Sequence, residues 1–242
     1  MSGAARWAVT PLDVARAQRL RFRIFAQEMG ATLQGMPTGH DVDEFDAHCL
    51  HLLVVSQDPA GEDEGEVVAT CRVLLPDGAR QVGRLYSEGE FDLSAVRDLM
   101  PGTLEMGRVC VAPAWRNGLL ILSLWRELGK LMQQEGLDVL IGCASVGVSD
   151  GGVFAAQLWN QLRVSHQVEP LRRVRPWQPL TLRPDAPHST VQVPALIKGY
   201  LRCGGRLLGP PALDASFNTA DFPMMLRLRD LPQRYGKRVL AA

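Results

Sequence analysis

The chain has 242 residues, 46% hydrophobic and 21% charged, and its 26 Lys/Arg balance 26 Asp/Glu. That size suits one globular domain over 1–242 whose core needs no disulfide or structural metal, and zero net charge gives no reason to expect a nucleic-acid partner. Five scattered cysteines without a CxxC pair argue against a disulfide framework or a zinc site.

Thr10-Pro11-Leu12-Asp13 reads as a helix start, with an N-cap, a proline at the first helical position and an acid in the first turn. The helix is expected to run to about Met29, with Gly30 as its stop. A polar loop from Ala31 to Asp46 follows and ends in the run Asp41-Val42-Asp43-Glu44-Phe45-Asp46. Residues 51–55 and 66–74 read as two strands joined by a Gly/Glu/Asp-rich hairpin connection. Residues 86–99 are mixed, a short strand edge and a helix. Leu104–Val111 is a third strand, 118–133 a helix with Ile121, Trp125, Leu128 and Met132 at three-and-four spacing, and 138–144 a strand buried on both faces. A helix over 152–162, an Arg/Pro/Gln-rich stretch over 163–194, and a last helix and strand over 193–203 and 222–228 complete the order. It describes an α/β sandwich.

No stretch approaches the roughly 18 apolar residues of a spanning helix, and Met1 to Thr10 lacks the hydrophobic run of a signal peptide. A reducing cytoplasm is therefore the expected compartment, with peripheral contact at the inner membrane face left open. Charge is unevenly spread: residues 1–100 carry 9 Lys/Arg against 16 Asp/Glu, and 101–242 carry 17 against 10. Such a split suits a cationic substrate at one face and an acidic partner at another, or simply averages out on folding.

Chemistry is expected around Leu104-Glu105-Met106-Gly107-Arg108-Val109-Cys110-Val111. This strand carries a carboxylate and a guanidinium and runs through Pro113 and Trp115-Arg116-Asn117-Gly118 into a helix. Backbone N–H groups at such a turn can hold a phosphate-bearing thioester, with a charged residue in reach of its carbonyl. An acyltransferase is the class this suggests. Amide formation from a thioester needs a neutral amine, so Glu105 is the candidate base or else a structural partner of Arg108 or Arg72.

Element order, Glu105, Arg108 and the 113–118 turn resemble the GCN5-related N-acetyltransferase fold, a mixed, mostly antiparallel sheet flanked by helices, here with a C-terminal extension over about 163–242. Within that superfamily, Arg23-x-Phe25, Glu28, the 41–46 run, Cys49-x-His51, Arg72, Tyr86-Ser87-Glu88-x-Glu90-Phe91 and Leu104-Glu105-x-Gly107-Arg108 resemble the L-ornithine N-alpha-acyltransferases. So do Gly142-Cys143-Ala144-Ser145, Val193-Pro194-x-Leu196-x-Lys198-Gly199-Tyr200-Leu201 and Phe217-Asn218-Thr219-Ala220-Asp221. The acyl-homoserine-lactone synthases look like a cousin.

The resemblance implies transfer of a 3-hydroxyacyl chain from acyl carrier protein to the α-amine of L-ornithine, the first step of ornithine-lipid synthesis. Open alternatives are a different amine acceptor, homoserine-lactone chemistry included, and a catalytically silent acyl-binding protein. It further implies no tightly bound cofactor, since the acyl-phosphopantetheine thioester is a substrate. Only part of the acetyltransferase turn is kept, which suits the single phosphate of a carrier-protein arm.

On this reading Glu105 and Arg108 are catalytic, brought together by the bulge this fold often has in that strand. Glu28, Asp41, Asp43 and Asp46 bind the ornithine ammonium and Arg72 its carboxylate, or these residues pair with one another to order the loop. Val109, Val111, Arg116, Asn117, Gly118, Gly142 and Ser145 hold the phosphopantetheine. Tyr200 either protonates the leaving thiolate or packs. Arg163, Arg172, Arg173 and Arg175, with Trp177 nearby, form either a docking face for an acidic carrier protein or anionic lipid, or a solvated loop.

Overall fold

A computed structural model of the chain describes residues 3–32, 39–57, 65–116, 119–181 and 190–233. In chain order the elements are β1 (Gly3–Trp7), α1 (Pro11–Phe22), β2 (Cys49–Ser56), β3 (Val67–Leu74), α2 (Pro76–Val82), β4 (Phe91–Asp92), β5 (Thr103–Val111), α3 (Leu119–Gln134), β6 (Val139–Gly147), α4 (Val153–Leu162), β7 (Arg175–Pro176), α5 (Ala195–Arg202), β8 (Arg206–Leu207), β9 (Ala212–Asp214) and β10 (Thr219–Arg227). One eight-stranded sheet runs β1-β2-β3-β5-β6-β10-β8, with β9 paired to β10. Every ladder is antiparallel except β5–β6, which is parallel. The mixed, mostly antiparallel sheet flanked by helices is thus the one expected.

The two faces of the sheet bury different cores. Along β2, Leu52 and Val54 join the core under α3, α4 and α5, whereas Leu53 and Val55 join the core under α1. That is the period-two alternation of a strand with helices on both sides. A third cluster, with Phe45, Leu85, Phe91, Ile141 and Met225, continues the α1 face toward β10. Each fully buried aliphatic side chain contributes about 1.5–3 kcal/mol.

Helix α1 starts as its sequence dictates. The Thr10 hydroxyl accepts from the Asp13 N–H at 3.1 Å, and the Asp13 carboxylate accepts from the Thr10 N–H at 3.3 Å. It then widens into a π-helical turn over Arg23–Glu28 and stops at Gly30, where φ is +74°. Five short elements fall outside the expectation: β1, α2, β7, β8 and β9. The expected last strand at 222–228 begins earlier, at Thr219, so Asp221 lies within a strand. Residues 86–99 form 3-10 turns around the two-residue β4 rather than an α-helix.

Candidate active site

Strand β5 positions the site because it parts from one neighbour and bulges against the other. Toward β6 it pairs only over Thr103–Glu105, opposite Val139–Ile141. Beyond Glu105 the two strands splay, and Met106–Val111 has no ladder partner on that side. Gly142 marks the point of closest approach, since a Cβ there would lie 2.3 Å from the Met106 carbonyl oxygen and 2.9 Å from the Tyr200 hydroxyl. Toward β3 the register jumps from Arg72↔Gly107 to Thr70↔Cys110, so β5 carries one extra residue. Arg108 sits at this bulge with φ +50°. An uninterrupted strand would send Glu105 and Arg108 to opposite faces; the bulge puts both on the wall of one cavity.

That cavity encloses about 300 Å³ in the splay. One stretch of its wall is apolar, with Ile24, Phe25, Met29, Leu120, Ile121 and Leu196, and another carries Ser87, Glu105, Arg108, Cys143, Asp214 and Asp221. Glu105 is buried and accepts from the N–H of Tyr86 at 2.6 Å, the N–H of Ser87 at 2.8 Å and the Ser87 hydroxyl. Burial nonetheless raises its proton affinity against those three hydrogen bonds. Arg108 lies between the rings of Tyr86 and Phe217, with centroid distances of 4.8 Å and 4.6 Å. Desolvation also pushes the Cys143 thiol well above its ordinary value, which makes it a poor nucleophile.

Residues 20–126 match the acetyltransferase (GNAT) domain family. The chain is 29% identical to an L-ornithine N(alpha)-acyltransferase of Rhizobium meliloti, over 95% of this chain and 81% of that one. It is 31% identical to another from Rhodobacter capsulatus, over 97% of this chain and 93% of that one. The chain belongs to the L-ornithine N(alpha)-acyltransferase family. Its fold is shared with a CoA-dependent acyl-homoserine lactone synthase, BjaI, solved with SAM and isopentyl-CoA. The TM-score is 0.57 and the identity 16%, over 98% of this chain and 86% of that one.

In this acyltransferase the acidic loop turns its charges inward. Arg21 donates to Asp41 at 2.6 Å and to both oxygens of Asp46 at 2.7 and 3.2 Å. Arg72 pairs with Asp43 and with Asp46 at 3.2 Å, and Arg108 donates to Asp41 at 3.2 Å and Asp43 at 3.1 Å. Three guanidinium groups and three carboxylates balance. Burial opposes the charge of Asp46, but Arg21 and Arg72 outweigh it and hold its carboxyl down at about 2. Asp41, Asp43, Asp46 and Arg72 do not line the splay cavity, and their ion pairs are the alternative that the sequence left open for them. They hold Arg108 and the bulge.

The other expected residues divide. Val109, Val111, Arg116 and Ser145 line the splay cavity. Gly142 does not, because its missing side chain admits the Met106 carbonyl rather than a ligand. Asn117 and Gly118 lie outside the described residues. Glu28 receives the Arg116 guanidinium through two hydrogen bonds of 2.6 and 2.8 Å at the cavity mouth, so its charge too is engaged. The Tyr200 hydroxyl is buried without a hydrogen-bond partner beside Gly142, and the ring packs edge-on to Trp125 at 4.8 Å. Arg172 is engaged by Asp98, while Arg163, Arg173 and Arg175 are exposed beside the exposed Val164 and Leu171.

Reading the sequence left Ser87, Asp214, Phe217 and Asp221 without roles. Ser87, Phe217 and Asp221 stand in the segments that carry the family resemblance, and that was the signal available for them. Asp214 had none: the β9–β10 hairpin brings it in, its carboxylate accepting from the N–H groups of Ser216 at 2.8 Å and Phe217 at 3.1 Å.

Proposed function

We propose that this protein moves a 3-hydroxyacyl group from the phosphopantetheine thioester of acyl carrier protein to the α-amine of L-ornithine, giving a lyso-ornithine lipid. The reading is carried by the splay and bulge of β5, which gather an open strand edge, Glu105 and Arg108 on one cavity in a chain of this family.

The donor arm lies along Met106–Val111 and completes the ladder that β6 abandons, with Val109 and Val111 beside it and Ser145 across the gap. Its phosphate meets Arg116 and the start of α3. The amine nitrogen attacks the thioester carbonyl carbon, and its proton passes to Glu105, whose burial favours accepting it. Arg108 and the N–H groups freed at the bulge stabilise the oxyanion. The C–S bond then breaks, and the thiolate takes back the proton that Glu105 accepted and leaves as the thiol, which returns Glu105 to its starting state. Direct attack fits the raised thiol of Cys143, which argues against an acyl-cysteine intermediate. The exposed Arg163, Arg173 and Arg175 supply the docking face for an acidic carrier protein.

Offering the protein 3-hydroxyacyl-carrier protein or 3-hydroxyacyl-CoA, each with ornithine, lysine, glutamine or S-adenosylmethionine, tests the reading by mass spectrometry of the products. The expected result is an N-acylornithine formed faster from carrier protein. A product with another acceptor and none with ornithine would overturn the acceptor assignment.

A further inference from the structure

The inward-turned acidic loop leaves the acceptor's second ammonium without a partner, and the other side of the cavity offers one. A second cavity of about 390 Å³ meets the splay cavity, the two sharing Tyr86, Asp214 and Phe217 as walls. Three carboxylates gather at this junction. Asp214 lines both cavities, Asp221 the splay cavity and Glu90 the second. Glu90, Asp221 and Cys143 each bring a polar atom within 4.8 Å of the others.

The charges here are not balanced as they are around Asp41. Among the described residues no arginine or lysine pairs with Glu90, Asp214 or Asp221. Both carboxylate oxygens of Glu90 are closed to solvent and accept no hydrogen bond. Asp221 is buried and accepts from the Thr219 hydroxyl at 2.8 Å. Like charges this close and this dry cannot all ionise without a cation between them. Burial and the neighbouring Asp221 and Asp214 accordingly push the Glu90 carboxyl up to about 9, and burial pushes Asp221 up to about 6.

We infer that Glu90, Asp214 and Asp221, where the two cavities meet, form the subsite for the side-chain ammonium of the acceptor amino acid. The ammonium brings one positive charge to three carboxylates that no Arg or Lys neutralises among the described residues, and N–H donors to the Glu90 oxygens. Glu105 and Arg108 stand on the wall of the same splay cavity, so a short diamino acid anchored at the junction directs its α-amine toward the thioester. The selection is against neutral side chains, which leave the carboxylates desolvated and unpaired. This inference rests on the proposal that the acceptor is a diamino acid.

Two substitutions test it without disturbing the fold. Asp214→Asn keeps the side-chain oxygen that caps the Ser216 and Phe217 N–H groups, and Glu90→Gln keeps the size of the side chain and a donor that can face Asp221. Calorimetric titration of the full chain with L-ornithine and with L-norvaline, its analogue lacking the terminal amine, reads the cation preference directly. Wild type is expected to favour ornithine by at least about tenfold, the scale of one charge-assisted contact. Glu90→Gln and Asp214→Asn should abolish that preference and leave norvaline binding unchanged. Preference retained in both variants, or absent in wild type, overturns the subsite. So does a stoichiometric divalent metal in the purified protein that Glu90→Gln removes. Ornithine turnover in wild type is read separately: turnover with an unaltered preference in the variants defeats the subsite alone, whereas turnover only with neutral amino acids defeats both readings.

Discussion

Glu105 and Cys143 face the same cavity, yet their environments assign them opposite fates. The carboxylate is desolvated but supported by three hydrogen-bond donors from Tyr86 and Ser87, so it can gain and lose a proton. The thiol is desolvated with only a 3.6 Å contact to the Ser87 hydroxyl, and its thiolate is inaccessible near neutral pH. Steady-state kinetics should therefore show kcat falling by about 10²–10⁴ in Glu105→Gln, the usual weight of a positioned proton acceptor. Cys143→Ala should stay within a few-fold of wild type. An acyl-enzyme burst that Cys143→Ala removes would contradict direct attack. Glu105 was legible as a residue because its strand and charge stand out in the sequence. Its three partners were not, since they come from a 3-10 turn nineteen or fewer positions upstream that no periodicity announces.

At the scale of elements, strand β5 and helix α1 are tied together by ions rather than by apolar contact alone. Arg21 is fully buried near the end of α1, and its partners Asp41 and Asp46 also bind Arg108 and Arg72. Arg21→Met leaves three carboxylates against two guanidinium groups in this buried cluster and should cost about 3–5 kcal/mol in denaturant unfolding. A loss below about 1 kcal/mol would mean the cluster is solvated. Gly142→Ala forces a Cβ against the Met106 carbonyl at the neck of the splay, and should cost about 1–3 kcal/mol by overpacking. An unchanged melting temperature in that variant would contradict the close approach. The main strands and helices α1, α3, α4 and α5 were readable from apolar spacing. Short strands β8 and β9 were not: two or three residues carry no period, and only pairing to β10 defines them. The ion-pair partners of the acidic run at 41–46 were not legible, for a physical reason. Its charge suggested a ligand, while the three arginines that neutralise it lie on α1, β3 and β5, far away in sequence.

Over the whole molecule, two buried carboxyls set opposite pH limits. Asp46, held at about 2, contributes stability that is present above its ordinary value of 3.8 and is lost as pH falls through about 2. Glu90, raised to about 9 from 4.5, works the other way, with stability full below 4.5 and lost as pH rises through about 9. Thermal melts should accordingly show Glu90→Gln gaining on wild type steadily between about pH 5 and pH 9. A constant difference across that range would contradict the buried, uncompensated carboxyl. Both groups serve the division of the molecule, a neutralised ion cluster holding the bulge on one side and an unneutralised acidic junction on the other. No helix among the described residues is long and apolar enough to cross a membrane. This division delivers the α-amine to the thioester, and the regiochemistry of one product reads that delivery. Tandem mass spectrometry of the product from 3-hydroxyacyl-carrier protein and L-ornithine should place the acyl group on the α-nitrogen alone. Acylation of the side-chain nitrogen, or no product from folded protein with competent carrier, would contradict that delivery.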